Sequence, residues 1–196
     1  MATNNINLIT LAEWSLQSSV YSPTGNNDLS TGTPTVVDLT LDEGGTGLSD
    51  GVAINSDQVD LTANRPDVIT VIACIEWFAA VTANNSVDFY WCGSANSGVG
   101  VGNPGSSDGI DGIFVGSGDG ATDDQSVVNL DFIGSMVMET HTAGHVQIAT
   151  IGSFRPYLRY GQLVVFNNSG TLMCGTDDIE SSVLLYGTIP DVAAAV

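Results

Sequence analysis

Residues 67–81 run DVITVIACIEWFAAV, and whether they form a strand or a helix settles the class of the whole chain. A helical face can be drawn through Ile72, Ile75 and Ala79. The opening Val-Ile-Thr-Val-Ile argues against it, because β-branched side chains are stiff in a helix and pack well on a pleated surface. Apolar residues on both alternating faces predict a central strand buried on both sides. SVDFYWCG at 86–93 alternates cleanly after the turn-like Asn84-Asn85, so 67–93 is predicted to be a β-hairpin.

Downstream, residues 93–120 carry ten glycines in 28 positions and no positive charge. This predicts a long loop on the outer surface rather than an element. Four more strands are predicted at 127–140, 145–154, 157–168 and 179–189. Ala143-Gly144, Arg155-Pro156, Asn168-Ser169-Gly170 and Gly175 to Asp178 supply the turns between them. Upstream, PTVVDLTL at 34–41 reads as a strand closed by Asp42-Glu43-Gly44-Gly45, and 51–62 holds one or two short extended pieces. About eight strands in all predict an all-β, jelly-roll-like sandwich spanning 34–196. Residues 1–33 are polar apart from Ile6 to Trp14. They are predicted to form an N-terminal arm whose deletion leaves the β domain folded but abolishes binding to a partner surface.

Composition narrows the function. The 196 residues suit one domain. With 22 Asp and Glu against three cations, Arg65, Arg155 and Arg159, the net charge is −19. Nucleic acid and anionic membrane surfaces are therefore excluded as expected partners, since both need clustered cations. A hydrophobic content of 43% and mean hydropathy of +0.20 supply a core and argue against disorder. Cys74, Cys92 and Cys174 match neither a disulfide framework nor a zinc spacing. The N-terminus has no basic region followed by an apolar run, and no apolar stretch is long enough to cross a membrane. The expectation is a soluble protein made in a cytoplasm.

No serine sits in a G-x-S-x-G elbow, and no Cys or Ser pairs with a histidine and an orienting carboxylate. The chain is read as a non-enzyme with no cofactor. His141 and His145 flank a turn, which is expected to keep them off a common face and so from a metal with Glu139. Asp108 to Gly112 and Asp119 to Asp124 combine carboxylates with glycines, the makings of a weak calcium loop without EF-hand spacing. Gly98 to Gly102 precedes no helix to face a phosphate. Trp77 and Trp91 lie in apolar strands and are assigned to the core, leaving Trp14 as the exposed candidate.

The densest informative stretch is SFRPYLRYGQLVVFNNSG, 153–170. Its arginines can pair with carboxylates inside the fold while lying on tyrosine faces. In the alternative they form a subunit contact, for which Arg and Tyr are the favoured residue types. The candidate interface residues are Trp14, Arg155, Tyr157, Arg159 and Tyr160.

With its polar arm, its VDFYW strand before a Gly-rich loop, LDFIGSMVM, RPYLRYGQLVVFNNSG and a closing strand at 179–187, the chain resembles the small jelly-roll decoration, or cement, proteins of tailed-bacteriophage heads. The resemblance covers most of 34–189. It implies an oligomer, commonly a homotrimer, bound to the major capsid protein on the outside of the virion and stabilising the lattice. The rival expectation is a carbohydrate-binding β-sandwich on a phage fibre or cell surface, using Trp14, Tyr90 or a calcium-loaded acidic loop. A β-sandwich hydrolase with an acidic pocket ranks third.

Overall fold

The computed structural model describes residues 6–15, 35–36, 47–61, 66–77, 79–97, 112–114, 127–173 and 181–190, with only the backbone described for 6–10, 12–15, 35–36, 112 and 189–190. Its strands are β1 (Ile6–Ser15), β2 (Thr35–Val36), β3 (Ala53–Asn55), β4 (Val59–Asp60), β5 (Val68–Glu76), β6 (Ser86–Ser94), β7 (Gly112–Ile113), β8 (Asp131–Val137), β9 (Val146–Phe154), β10 (Tyr160–Asn168) and β11 (Ser182–Pro190). Among the described residues, one sheet runs β2-β1-β11-β5-β9. The other runs β7-β3-β10-β6-β8, with β4 also on β10. Setting aside the two-residue strands β2, β4 and β7 leaves eight. Numbered along the chain, these eight lie in the orders 1-8-3-6 and 2-7-4-5. That is the interlocked double Greek key of a jelly roll, and it bears out the expected sandwich.

Several expectations are corrected. β5 and β6 do not form a hairpin, because they belong to opposite sheets. Crossing the roughly 10 Å between packed sheets takes more chain than a tight turn supplies. Trp77 and residues 79–85 lie on that crossing and pair with the crossover from β8 to β9 instead. Trp77 N–H donates to His145 O, Val81 N–H to His141 O and Met138 N–H to Asn85 O. The Asn84-Asn85 turn is present, with Asn84 at φ 78°, but it sends the chain into the other sheet. β5 is also not buried equally on both faces: Ile69, Val71, Ala73 and Ile75 are fully buried, whereas on the other face Cys74 is buried but Val68, Thr70, Ile72 and Glu76 are only half-buried. A sandwich strand has its core on one side only.

The predicted arm is corrected for Ile6–Ser15. This segment is β1, antiparallel to β11 from Ile6↔Pro190 to Ser15↔Ser182, with an irregularity between Thr10 and Ala12. The apolar patch in a polar segment is thus part of a strand, and Leu11 packs against the core. Deleting 1–33 would remove a strand from the sheet, so the β domain is not expected to survive it intact. Residues 16–34 lie outside the described residues, as does most of the strand expected at 34–41.

The main core joins both inner faces: Ile69, Val71, Ala73 and Ile75 from β5 meet Val87, Phe89 and Trp91 from β6, with Trp77 and Leu163 fully buried among them. The core assignment of Trp77 and Trp91 holds. On the side where the sheets meet through β8 and β9, Gly134 and Gly152 let the backbones touch. A Cβ on Gly134 would collide with Ile151 O, and one on Gly152 with Ile133 O. A second apolar cluster lies on the outer face of the other sheet, where Ala53, Cys92, Val164 and Phe166 are covered by Phe114 and Val127. Phe114 belongs to the predicted long loop. β7 pairs with β3, the Phe114 N–H bonds to Ala53 O at 2.9 Å, and the Phe114 ring is fully buried. The described part of the loop is therefore a short covering layer.

Candidate functional site

A jelly roll places its connections at two ends. At one end, the β4–β5 and β9–β10 connections come together; the second holds Arg155, Tyr157 and Arg159 of the five candidate interface residues, and Tyr160 follows as the first residue of β10. Asp60 stands in register with Tyr160, which sets its carboxylate beside Arg159. The Arg159 guanidinium donates from Nε to Asp60 Oδ1 at 3.3 Å and from Nη2 to Oδ2 at 3.0 Å. It also lies 4.6 Å from the Tyr160 ring centroid. Asp60 raises the Arg159 pKa, mainly through this hydrogen bond. The internal reading of Arg159, an ion pair lying on a tyrosine, is thus the observed one. Both side chains are about half exposed, 49% and 47%, so water screens the pair and it adds little to stability.

Arg155 and Tyr157 behave differently. Arg155 is exposed and, among the described residues, forms no salt bridge. Tyr157 is 69% exposed. Desolvation raises its pKa, and the negative charge of Asp131, which accepts its hydrogen bond, adds to the shift. Tyr157, Leu158 and Arg159 form one wall of a cleft of about 300 Å³, and Leu61, Pro66 and Asp67 form the other. The Leu61 N–H donating to Arg159 O at 2.9 Å ties the walls together. At the low end of the volume range for ligand sites, the cleft has room for a side chain or a single small ring.

Trp14 is not part of this group. Its backbone is in register with Val183 and Thr35, near the start of β11 and so toward the opposite end. Its side chain lies outside the described residues.

That opposite end carries the histidines. The turn at Ala143-Gly144, with Gly144 at φ 72°, brings the His141 and His145 rings into a stack, centroids 4.2 Å apart and 29° between planes. The expectation that the turn keeps them apart is corrected. Trp77 lies beside them, 6.4 Å from His141, and His141 Nε2 is 3.4 Å from Gln147 Oε1. Among the described residues no three His, Cys, Asp or Glu side chains converge to hold a metal. The calcium-loop candidates at Asp108 to Asp111 and Asp119 to Asp124 lie outside the described residues.

Sequence reasoning missed an exposed apolar strip. Phe132 and Val137 of β8 point outward with 58% and 59% exposure, and Val128 just before them is more exposed still. Phe132 tilts against Tyr90 at 5.3 Å between centroids. The phenol of Tyr90 has its pKa raised by desolvation and then by Asp88. Alternation alone would set Phe132 on the same face as the buried Met136; the register irregularity opposite Phe89 and Tyr90 turns Phe132 outward instead, so no periodic signal in VVNLDFIGSMV marked it.

Set against known proteins, the chain matches no family model, no curated protein and no solved structure.

Proposed function

We propose that this protein is a structural, non-catalytic subunit of a virion, a decoration protein that attaches to the outer surface of a capsid as a homo-oligomer, a trimer in the form its resemblance implies. The observation that carries the reading is the jelly-roll strand order itself, with exposed Tyr157, Phe132 and Arg155 on or beside its connections. Aromatic residues and arginine are the types that carry energy in protein contacts. With three cations in the chain, the surface that receives it is neutral or basic. Repetition over a lattice makes a modest contact effective, because many weak attachments act together. In this reading the protein is assembled in the host cytoplasm, binds the major capsid protein, and needs neither nucleic acid nor membrane.

The test is co-sedimentation of the purified chain with empty heads built from the major capsid protein encoded in the same genome, alongside a glycan-binding screen with and without calcium. Saturable binding at a fixed ratio, with heads that disrupt at a higher temperature once coated, is the expected result. Failure to bind heads, with saturable binding to a glycan, would overturn it in favour of the carbohydrate-binding reading.

A further inference from the structure

His141 and His145 sit where two crossovers meet. The connections from β5 to β6 and from β8 to β9 each carry the chain from one sheet to the other. They are pinned together by the Trp77 N–H donating to His145 O at 3.0 Å, the Gly144 N–H to Trp77 O at 2.7 Å and the Val81 N–H to His141 O at 3.1 Å. Each of these bonds uses the backbone of Trp77 or of a histidine.

Gln147 fixes the state of the His141 ring. Its amide donates from Nε2 to Val137 O at 2.8 Å, which turns its Oε1 toward His141 Nε2, 3.4 Å away. A carbonyl oxygen only accepts, so the proton of the neutral ring lies on Nε2 and Nδ1 keeps its lone pair. Nδ1 is buried and has no partner among the described residues; the buried Trp77 Nε1, a donor, has none either. A charged His141 would therefore carry its second N–H into a site that offers no acceptor. Its stacked neighbour His145 is exposed, so water solvates a charge there. With both rings charged, two cations would stand 4.2 Å apart. The carboxylates on the surrounding segments are Glu76 at the end of β5, Glu139 two residues before His141, and Asp88 of β6, which accepts from Ser135 Oγ. Residues 79–85, 146–150 and 181–185 carry no charged side chain, and among the described residues neither ring forms a salt bridge.

We propose that the two crossovers form an acid-sensitive latch, shut while His141 and His145 are uncharged and released when both take protons. The shut latch binds fewer protons than the released one. Linkage then makes it firm above the range in which histidine titrates, and makes it give way as the pH falls through that range. The latch is independent of what the protein binds, and it is tested without capsids or glycans.

The measurement is hydrogen exchange of the full chain at about pH 7.5 and about pH 5.5, corrected for the intrinsic rate at each pH. Carboxylates largely keep their charge over this interval while histidine changes. Protection of the amides of Trp77, Val81 and Gly144 should fall by about ten-fold or more, while that of the amides of β10 stays constant. The fall should vanish in His141→Gln and shrink in His145→Gln. Nitrogen NMR of the wild type at the higher pH should show the His141 proton on Nε2. Unchanged protection at Trp77, Val81 and Gly144, an equal fall along β10, an undiminished fall in His141→Gln, or a proton on Nδ1 would each overturn the latch. Should His141→Gln fail to fold, the contrast between the crossovers and β10 in the wild type still decides it.

Discussion

A Cβ placed on Gly161 would fall inside the indole of Trp91, a side chain that is itself fully buried in the core. The glycine exists so that β10 can pass directly over that ring, and its φ is not in the left-handed region. Close approach rather than backbone freedom explains it. Gly161→Ala should therefore act as an overpacking change and cost about 3 kcal/mol, read as a lower denaturant midpoint at constant slope. A loss below about 0.5 kcal/mol, the range of ordinary surface changes, would show that the indole can move aside. Residue-scale chemistry was partly legible in the sequence. The Arg-Tyr stretch was recognised as informative, and its internal ion pair was among the readings. The partner, Asp60, was not legible, because it lies far along the chain and reaches Arg159 only through the β4–β10 pairing.

At the scale of the element, the covering layer on the outer face of the second sheet is the part least visible in the sequence. The segment 93–120 reads as a loop by composition, and only the short apolar run Ile113-Phe114-Val115 hints otherwise. In the fold, Phe114 closes a cluster with Ala53, Cys92, Val164 and Phe166. Phe114→Ala should cost about 3 kcal/mol or more, as for other fully buried phenylalanines, and should speed exchange of the residue 114 amide that bonds to Ala53 O. A cost under about 1 kcal/mol would mean that the layer adds little to the domain. The hairpin expectation failed at this same scale. Alternation and an Asn-Asn turn are local properties, and they establish that β5 and β6 are strands joined by a reversal. They carry no information on whether the second strand joins the first sheet or faces it, which depends on the core that both help to fill.

For the whole molecule, the dominant electrostatic fact is self-repulsion. A charge of −19 on a 20.3 kDa chain works against the compact state, and mobile ions relieve it. Raising sodium chloride from about 0.01 M to about 0.2 M should lift the thermal midpoint by several degrees. Thermal scans at matched protein concentration check this, and a flat or falling midpoint would show that attractive pairs outweigh the repulsion. The single described salt bridge, half exposed, makes that outcome unexpected.

Composition, alternation and turn chemistry were enough by themselves to determine an all-β chain, the approximate place of most strands, the burial of Trp77 and Trp91, and a surface nearly without cations. These follow from side-chain stiffness, period-two burial and charge, all of which act within a few residues. The tertiary structure alone decided that Ile6–Ser15 completes a sheet, that β5 and β6 face each other across a core, and that two histidines separated by a turn stack. It also decided that Tyr157, Arg159, Leu61 and Pro66 share a cleft. Each of these depends on pairing between segments distant in the chain, where the energy comes from the joint burial of two faces, and no single segment specifies its partner.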